Sequence, residues 1–147
     1  MKKSIISLLI SLITLIAITL KISTNVDSLN VITFLVFGAI LPVLISSVMG
    51  SSIINILNVQ GEKTKIIVSA ILSFIYSACY VFFIRFIDLD FDTIARNSQN
   101  LTNNSSIEIT NVSSQSIFTA GLINFFLVFA FILIFTKISE KAGERYV

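Results

Sequence analysis

The chain carries no charged side chain from Ile66 to Ile84. As a helix rising ~1.5 Å per residue, that stretch is roughly 28 Å long, about the thickness of a bilayer's hydrocarbon core. Lys63 and Lys65 precede it, and Asp88, Asp90 and Asp92 follow. Backbone polar groups in lipid must be satisfied within the segment, and a helix does so. The sequence therefore predicts a transmembrane helix over 66–87, with one basic end and one acidic end. Its direction sets that of the whole chain.

Three further runs, 5–22, 31–49 and 117–136, have the same character. The second stays apolar to 59 through Ile53-Ile54-Asn55-Ile56-Leu57-Asn58-Val59. Either its helix outruns the bilayer, or a short amphipathic piece lies at the interface. The chain is 55% hydrophobic and 12% charged, about half the charge of a soluble domain. The expected fold is all-α: a polytopic integral membrane protein, with four transmembrane helices in one small bundle. A polar outer loop covers 88–116 and a charged tail covers 137–147. The loop, rich in Asn, Ser and Thr, is expected to be ordered only in part, with strand-like alternation over 106–112. Lys2-Lys3 ahead of an apolar run also describes a signal peptide. The run is long for one, Ala17-Ile18-Thr19 is a poor cleavage site, and no lipoprotein cysteine follows. The first helix is expected to be retained.

Orientation follows from the basic residues. With both termini in the cytoplasm, the inner side holds Lys2, Lys3, Lys63, Lys65, Lys137, Lys141 and Arg145, and the outer side only Lys21, Arg85 and Arg96. That split matches the excess of Lys and Arg on cytoplasmic loops. The expected location is a cell membrane, and the bias toward Ile, Ser, Asn and Lys suggests a bacterial one.

Small and hydroxylated residues recur at helical spacing. Ser4, Ser7, Ser11 and Thr14 share one face of the first helix, continued by Ala17 and Lys21. Gly38, Pro42, Ser46 and Gly50 stand four apart in the second, and Ser69, Ser73 and Ser77 in the third. Such seams let helices approach closely and let hydroxyls bond across the contact. They are the candidate helix-packing or partner contacts, and a polar pathway is the rival reading. Pro42 removes one backbone bond and should kink its helix. Asn124 is the most polar side chain well inside the fourth span, so it should face the bundle or a partner. Arg85 lies near the outer end of its run, where an ion pair with Asp88 would anchor it at the interface.

Chemistry has little to work with. There is no histidine, and the single cysteine, Cys79, reads as an inert packing residue. Asp88, Asp90 and Asp92 lack the further oxygens and the glycine turn of a calcium loop. No phosphate loop or nucleophile motif occurs, and no span carries an acid fit for proton coupling. The expectation is no enzyme, no cofactor and no metal, and at net charge +2 no nucleic acid. Expected partners are the lipid bilayer and another membrane protein or a second copy. The preferred function is contact through helices or the outer loop, as an accessory subunit or an immunity or resistance factor. The alternative is a subunit of a small transporter or channel.

Overall fold

A computed structural model of the chain describes residues 2–87, 89, 93–94, 96–98 and 114–144. Those residues are helical with no strand, and four helices are long and apolar enough to cross a membrane. They are α1 (Lys2–Thr24), α2 (Val31–Ile56), α3 (Glu62–Ile87) and α4 (Ser114–Glu144). They alternate in direction. The start of α1, the end of α2, the start of α3 and the end of α4 share one end of the bundle, here the terminal end. The α1–α2 connection and the described part of the 88–113 segment make up the loop end.

α2 lies at the centre. α1 packs almost entirely on α2, whereas α2, α3 and α4 pack on one another. The central position explains why Pro42, Val43, Ser46, Ser47, Gly50, Ser51, Ser52 and Ile54 are all buried. Near Pro42 the helix deals with its missing donor by widening: Phe34–Ile40 is π-helical, and Leu41 N–H donates to the carbonyl of Val36, five residues back. A regular α-turn would press the proline ring against the carbonyl four residues before it, and the wider turn relieves that clash. The apolar continuation beyond 49 is helical as far as Ile56. It stops there because Asn58 takes the left-handed conformation, φ 49°. Val59 N–H then donates to Ile54 O, and Asn58 N–H to Asn55 O. Val59 closes the motif by packing beside Ile54.

α4 differs most from its expected bounds. Its helix runs through the charged tail to Glu144, because α2 and α3 hold its last turns. Asn55 Nδ2 donates to Ser139 Oγ at 3.0 Å, and Lys65 pairs with Glu140. Close approach of α4 depends on two glycines. A Cβ on Gly50 would stand 2.5 Å from Ile132 Cδ1, and one on Gly121 would stand 2.6 Å from Val81 Cγ2. A larger residue at either position would have to displace the Ile132 or Val81 side chain.

The loop end is built, not merely connected. Leu89 and Ile94 are buried among Ile18, Ile22, Leu29 and Ile84. The helical turn at 96–98 fastens to the first connection. Asn97 Nδ2 donates to Asp27 O and Leu29 O, both at 2.9 Å. Ser98 Oγ accepts from Val31 N–H at 2.8 Å, which satisfies a donor at the start of α2 that has no intrahelical partner. Asn30 completes that start, its Oδ1 accepting from Thr33 N–H at 2.8 Å. The polar composition of 88–116 therefore conceals residues that pack on the bundle, Leu89, Ile94, Asn97 and Ser98. The strand-like stretch 106–112 and Asp88, Asp90 and Asp92 lie outside the described residues.

Candidate functional site

Because α1 touches little but α2, a cleft opens on each side of it. The first faces α3. Its floor is Gly38 and Pro42, and its walls are Leu15, Ile18, Thr19 and Ile22 of α1 with Tyr76, Cys79, Tyr80 and Phe83 of α3. Its volume is about 300 Å³. The residues are apolar apart from Thr19, the two phenols and the thiol, and Thr19 already donates to its own helix at Leu15 O. Cys79 is exposed here, a correction to its expected place in the packing.

The second cleft faces α4 at the terminal end, with a volume of about 310 Å³. Its floor is Val48, Ser51 and Asn55 of α2. Lys3, Ser4 and Ser7 line one wall, and Phe135, Ile138 and Ser139 the other. Two hydrogen bonds frame it: Ser52 Oγ donates to Ser7 Oγ at 3.2 Å, and Asn55 Nδ2 to Ser139 Oγ.

Between α2, α3 and α4 the polar side chains are buried. Ser69 and Ser73 are wholly enclosed and Ser77 nearly so. Ser73 Oγ donates to Ser69 O at 2.7 Å, and Ser47 Oγ to Val43 O at 2.6 Å. The hydroxyls of Ser46, Ser69, Tyr76 and Ser77 have no hydrogen-bond partner. Tyr76 nonetheless lies beside Ser46, and Tyr80 beside Asn124. Asn124 falls on the buried line Gly121, Asn124, Val128, Ile132 and Thr136, the face α4 turns to its neighbours.

Of the residues expected to pack or to meet a partner, Ser11, Gly38, Pro42, Ser46, Ser69, Ser73, Ser77 and Asn124 are buried, and Ser7 is half-buried. Thr14 is exposed and donates to its own helix at Ile10 O. The inward stripe of α1 is Ser4, Ser7, Leu8, Ser11, Leu15, Ile18, Thr19 and Ile22; it shares Ser4, Ser7 and Ser11 with the hydroxyl line and parts from it at Thr14. At 3.6 residues per turn Thr14 stands about 80° from the centre of that stripe. The sequence analysis does not single out Ser51, Ser52, Asn55 or Ser139, although Asn55 stands four residues after Ser51 and three after Ser52. Arg85 is exposed, and its expected partner Asp88 lies outside the described residues. Lys21 instead sets its ammonium 4.1 Å from the centre of the Phe37 ring. Among the described residues no group of three His, Cys, Asp or Glu side chains could hold a metal.

Comparison of the chain with protein-family models, with curated proteins and with solved structures finds no match.

Proposed function

We propose that the chain is a multi-pass protein of a bacterial cell membrane, with both termini in the cytoplasm, that works by contact and not by catalysis. It serves as an accessory subunit or as an immunity or resistance factor. The observation that carries this reading is the stance of α1. It rests mainly on α2 and turns Ile5, Ile6, Leu9, Ile10, Ile13, Ile16 and Leu20 outward. The cleft between α1 and α3 has small residues at its floor and aromatic rings on one wall, a shape suited to a partner's helix. The serine rows are consumed inside the bundle, so a partner is met on these outer surfaces. The seven basic residues at the terminal end against three at the loop end support the orientation.

Cys79 supplies the test, since it lies in the cleft and is the chain's single cysteine. A thiol-directed crosslinker applied to membranes should join it to a second polypeptide. Products containing this chain alone, together with no copurifying protein in mild detergent, would count decisively against contact as the function. For the orientation, a cysteine in place of Val147 on a Cys79→Ser background should resist an impermeant reagent added outside intact cells.

The transporter or channel reading has one observation in its favour, the buried hydroxyls of Ser46, Ser69, Tyr76 and Ser77 without partners. It requires flux of an ion or small solute through the purified protein in liposomes, lost on Ser77→Leu. Absence of flux across common ions and solutes excludes it.

A further inference from the structure

We infer that the chain pairs with a second copy of itself through the groove between α3 and α4 at the terminal end, each copy setting its Lys137 against Glu62 of the other. The groove has a volume of about 390 Å³, and Ile66 of α3 and Ala130 and Ile134 of α4 give it an apolar floor. Four charged side chains lie along it. Lys65 and Glu140 pair with each other across the α3–α4 contact. Glu62 and Lys137 are exposed, and among the described residues neither has an ion pair or a hydrogen bond. An acid without a partner therefore stands on the α3 rim of the groove, and a base without a partner on the α4 rim.

A membrane limits what can answer both charges. Copies of one chain insert the same way up, so two of them are related by a two-fold axis along the membrane normal. Such a contact is isologous: the same patch serves both sides, and the group that meets Glu62 on one copy is met by Glu62 on the other. A patch with one acid and one base at the same end of the bundle satisfies that demand, whereas a patch of one sign would repel itself. α3 and α4 run in opposite directions, so Glu62 lies three residues outside Lys65 and Lys137 three residues inside Glu140. Lys137 is thus the deeper of the two. A lysine stem runs along apolar surface and carries its ammonium toward the headgroup level, where Glu62 stands.

α4 supplies the seam. Ile123, Leu127, Ala130, Ile134 and Lys137 are all exposed and stand alternately four and three residues apart, the spacing at which two parallel helices keep one face in contact. In lipid, apolar side chains gain little by leaving the acyl chains, and association depends on close packing and polar contacts. Ala130 is the small residue of the seam and lets the helices approach, and the two charge pairs are the polar contacts. The groove shares no residue with the cleft between α1 and α3, so this pairing stands or falls apart from the contact proposed there.

The full chain carrying Val147→Cys on the Cys79→Ser background is labelled with a donor or an acceptor dye, and the two preparations are reconstituted together in liposomes at low protein density. Energy transfer is expected, and an excess of unlabelled chain should abolish it. Glu62→Lys and Lys137→Glu, both on exposed side chains, should each abolish transfer with the melting curve unchanged. Donor-labelled Glu62→Lys mixed with acceptor-labelled Lys137→Glu should restore it, because both contacts again join an acid to a base. A pair formed within one chain does not give that result. Absence of transfer between unaltered grooves overturns the pairing and leaves the groove to lipid. Transfer that survives both charge reversals overturns it too, as does a mixture of the two variants that shows none.

Discussion

The two ends of this bundle are finished in opposite ways. At the loop end, Leu89 and Ile94 fill the space between α1, α2 and α3, and Asn97 and Ser98 take up backbone groups of the first connection and of α2. At the terminal end a cleft of about 310 Å³ stays open between α1 and α4, floored by Ser51 and Asn55. The difference comes from how much chain each end has to spend. The loop end has the long 88–113 connection, which can fold back on the bundle. At the terminal end the connection between described helices is the short turn at 57–61, and that turn is already used to stop α2 and start α3. An end closed by its own chain offers little to a ligand. At the terminal end the described residues leave the gap between α1 and α4 unfilled.

That contrast breaks first, and hardest, at the loop end. Ile94 is 1% exposed, and Ile94→Ala removes the plug's most enclosed side chain. The expected loss is about 2–5 kcal/mol, read as a lower melting temperature in detergent. An unchanged melting curve would mean that the loop end is not sealed. Gly50→Val sharpens the picture of the other end. Its side chain would collide with Ile132, with an expected loss of about 1–3 kcal/mol. The terminal end is thus tight between α2 and α4 while open between α1 and α4, and a harmless Gly50→Val would refute that distinction. Asn97→Ala removes two bonds to backbone carbonyls and should cost about 1–2 kcal/mol. It should also speed amide hydrogen exchange over 27–31 while leaving the terminal end unchanged. Faster exchange at both ends would show that the two are not independent.

Much of this architecture could be read from the sequence, because charge-free runs of spanning length leave the backbone few options. The inward faces could not be read as well. In a helix apolar enough to cross a membrane, Leu and Ile are at home on either side, so polarity no longer reports which face is buried. The hydroxyl line through Ser11 led to Thr14, yet threonine bonds to its own helix and is content facing out. The serines of α2 were partly missed for a different reason. Ser47, Ser51 and Ser52 fall beside the row Gly38–Gly50, and one row suffices for a helix with one neighbour. That α2 has three neighbours is a property of the whole bundle and of no single segment. Ser139 and Glu140 were hidden by sitting in a charged tail, where such residues usually face water. Asn97 and Ser98 were hidden in the same way within a polar loop.

The smallest expected effect separates the two roles of the serines at the terminal end. Ser52 donates to Ser7 across the α1–α2 contact, and a bond of that kind between helices in lipid contributes about 0.6 kcal/mol. Ser52→Ala should therefore lower the melting temperature only slightly. It should do more to the cleft than to the fold, because Ser52 and Ser7 pair at the cleft's α1 wall. Once that bond is gone, Ser7 can donate toward the Ser52 side or rotate to a carbonyl of its own helix, as Ser23 does to Thr19 O. Either change alters the α1 wall and leaves the rest of the bundle as it is. The expected outcome is a near-normal melting curve. A large fall in stability would instead assign Ser52 to holding α1 in place.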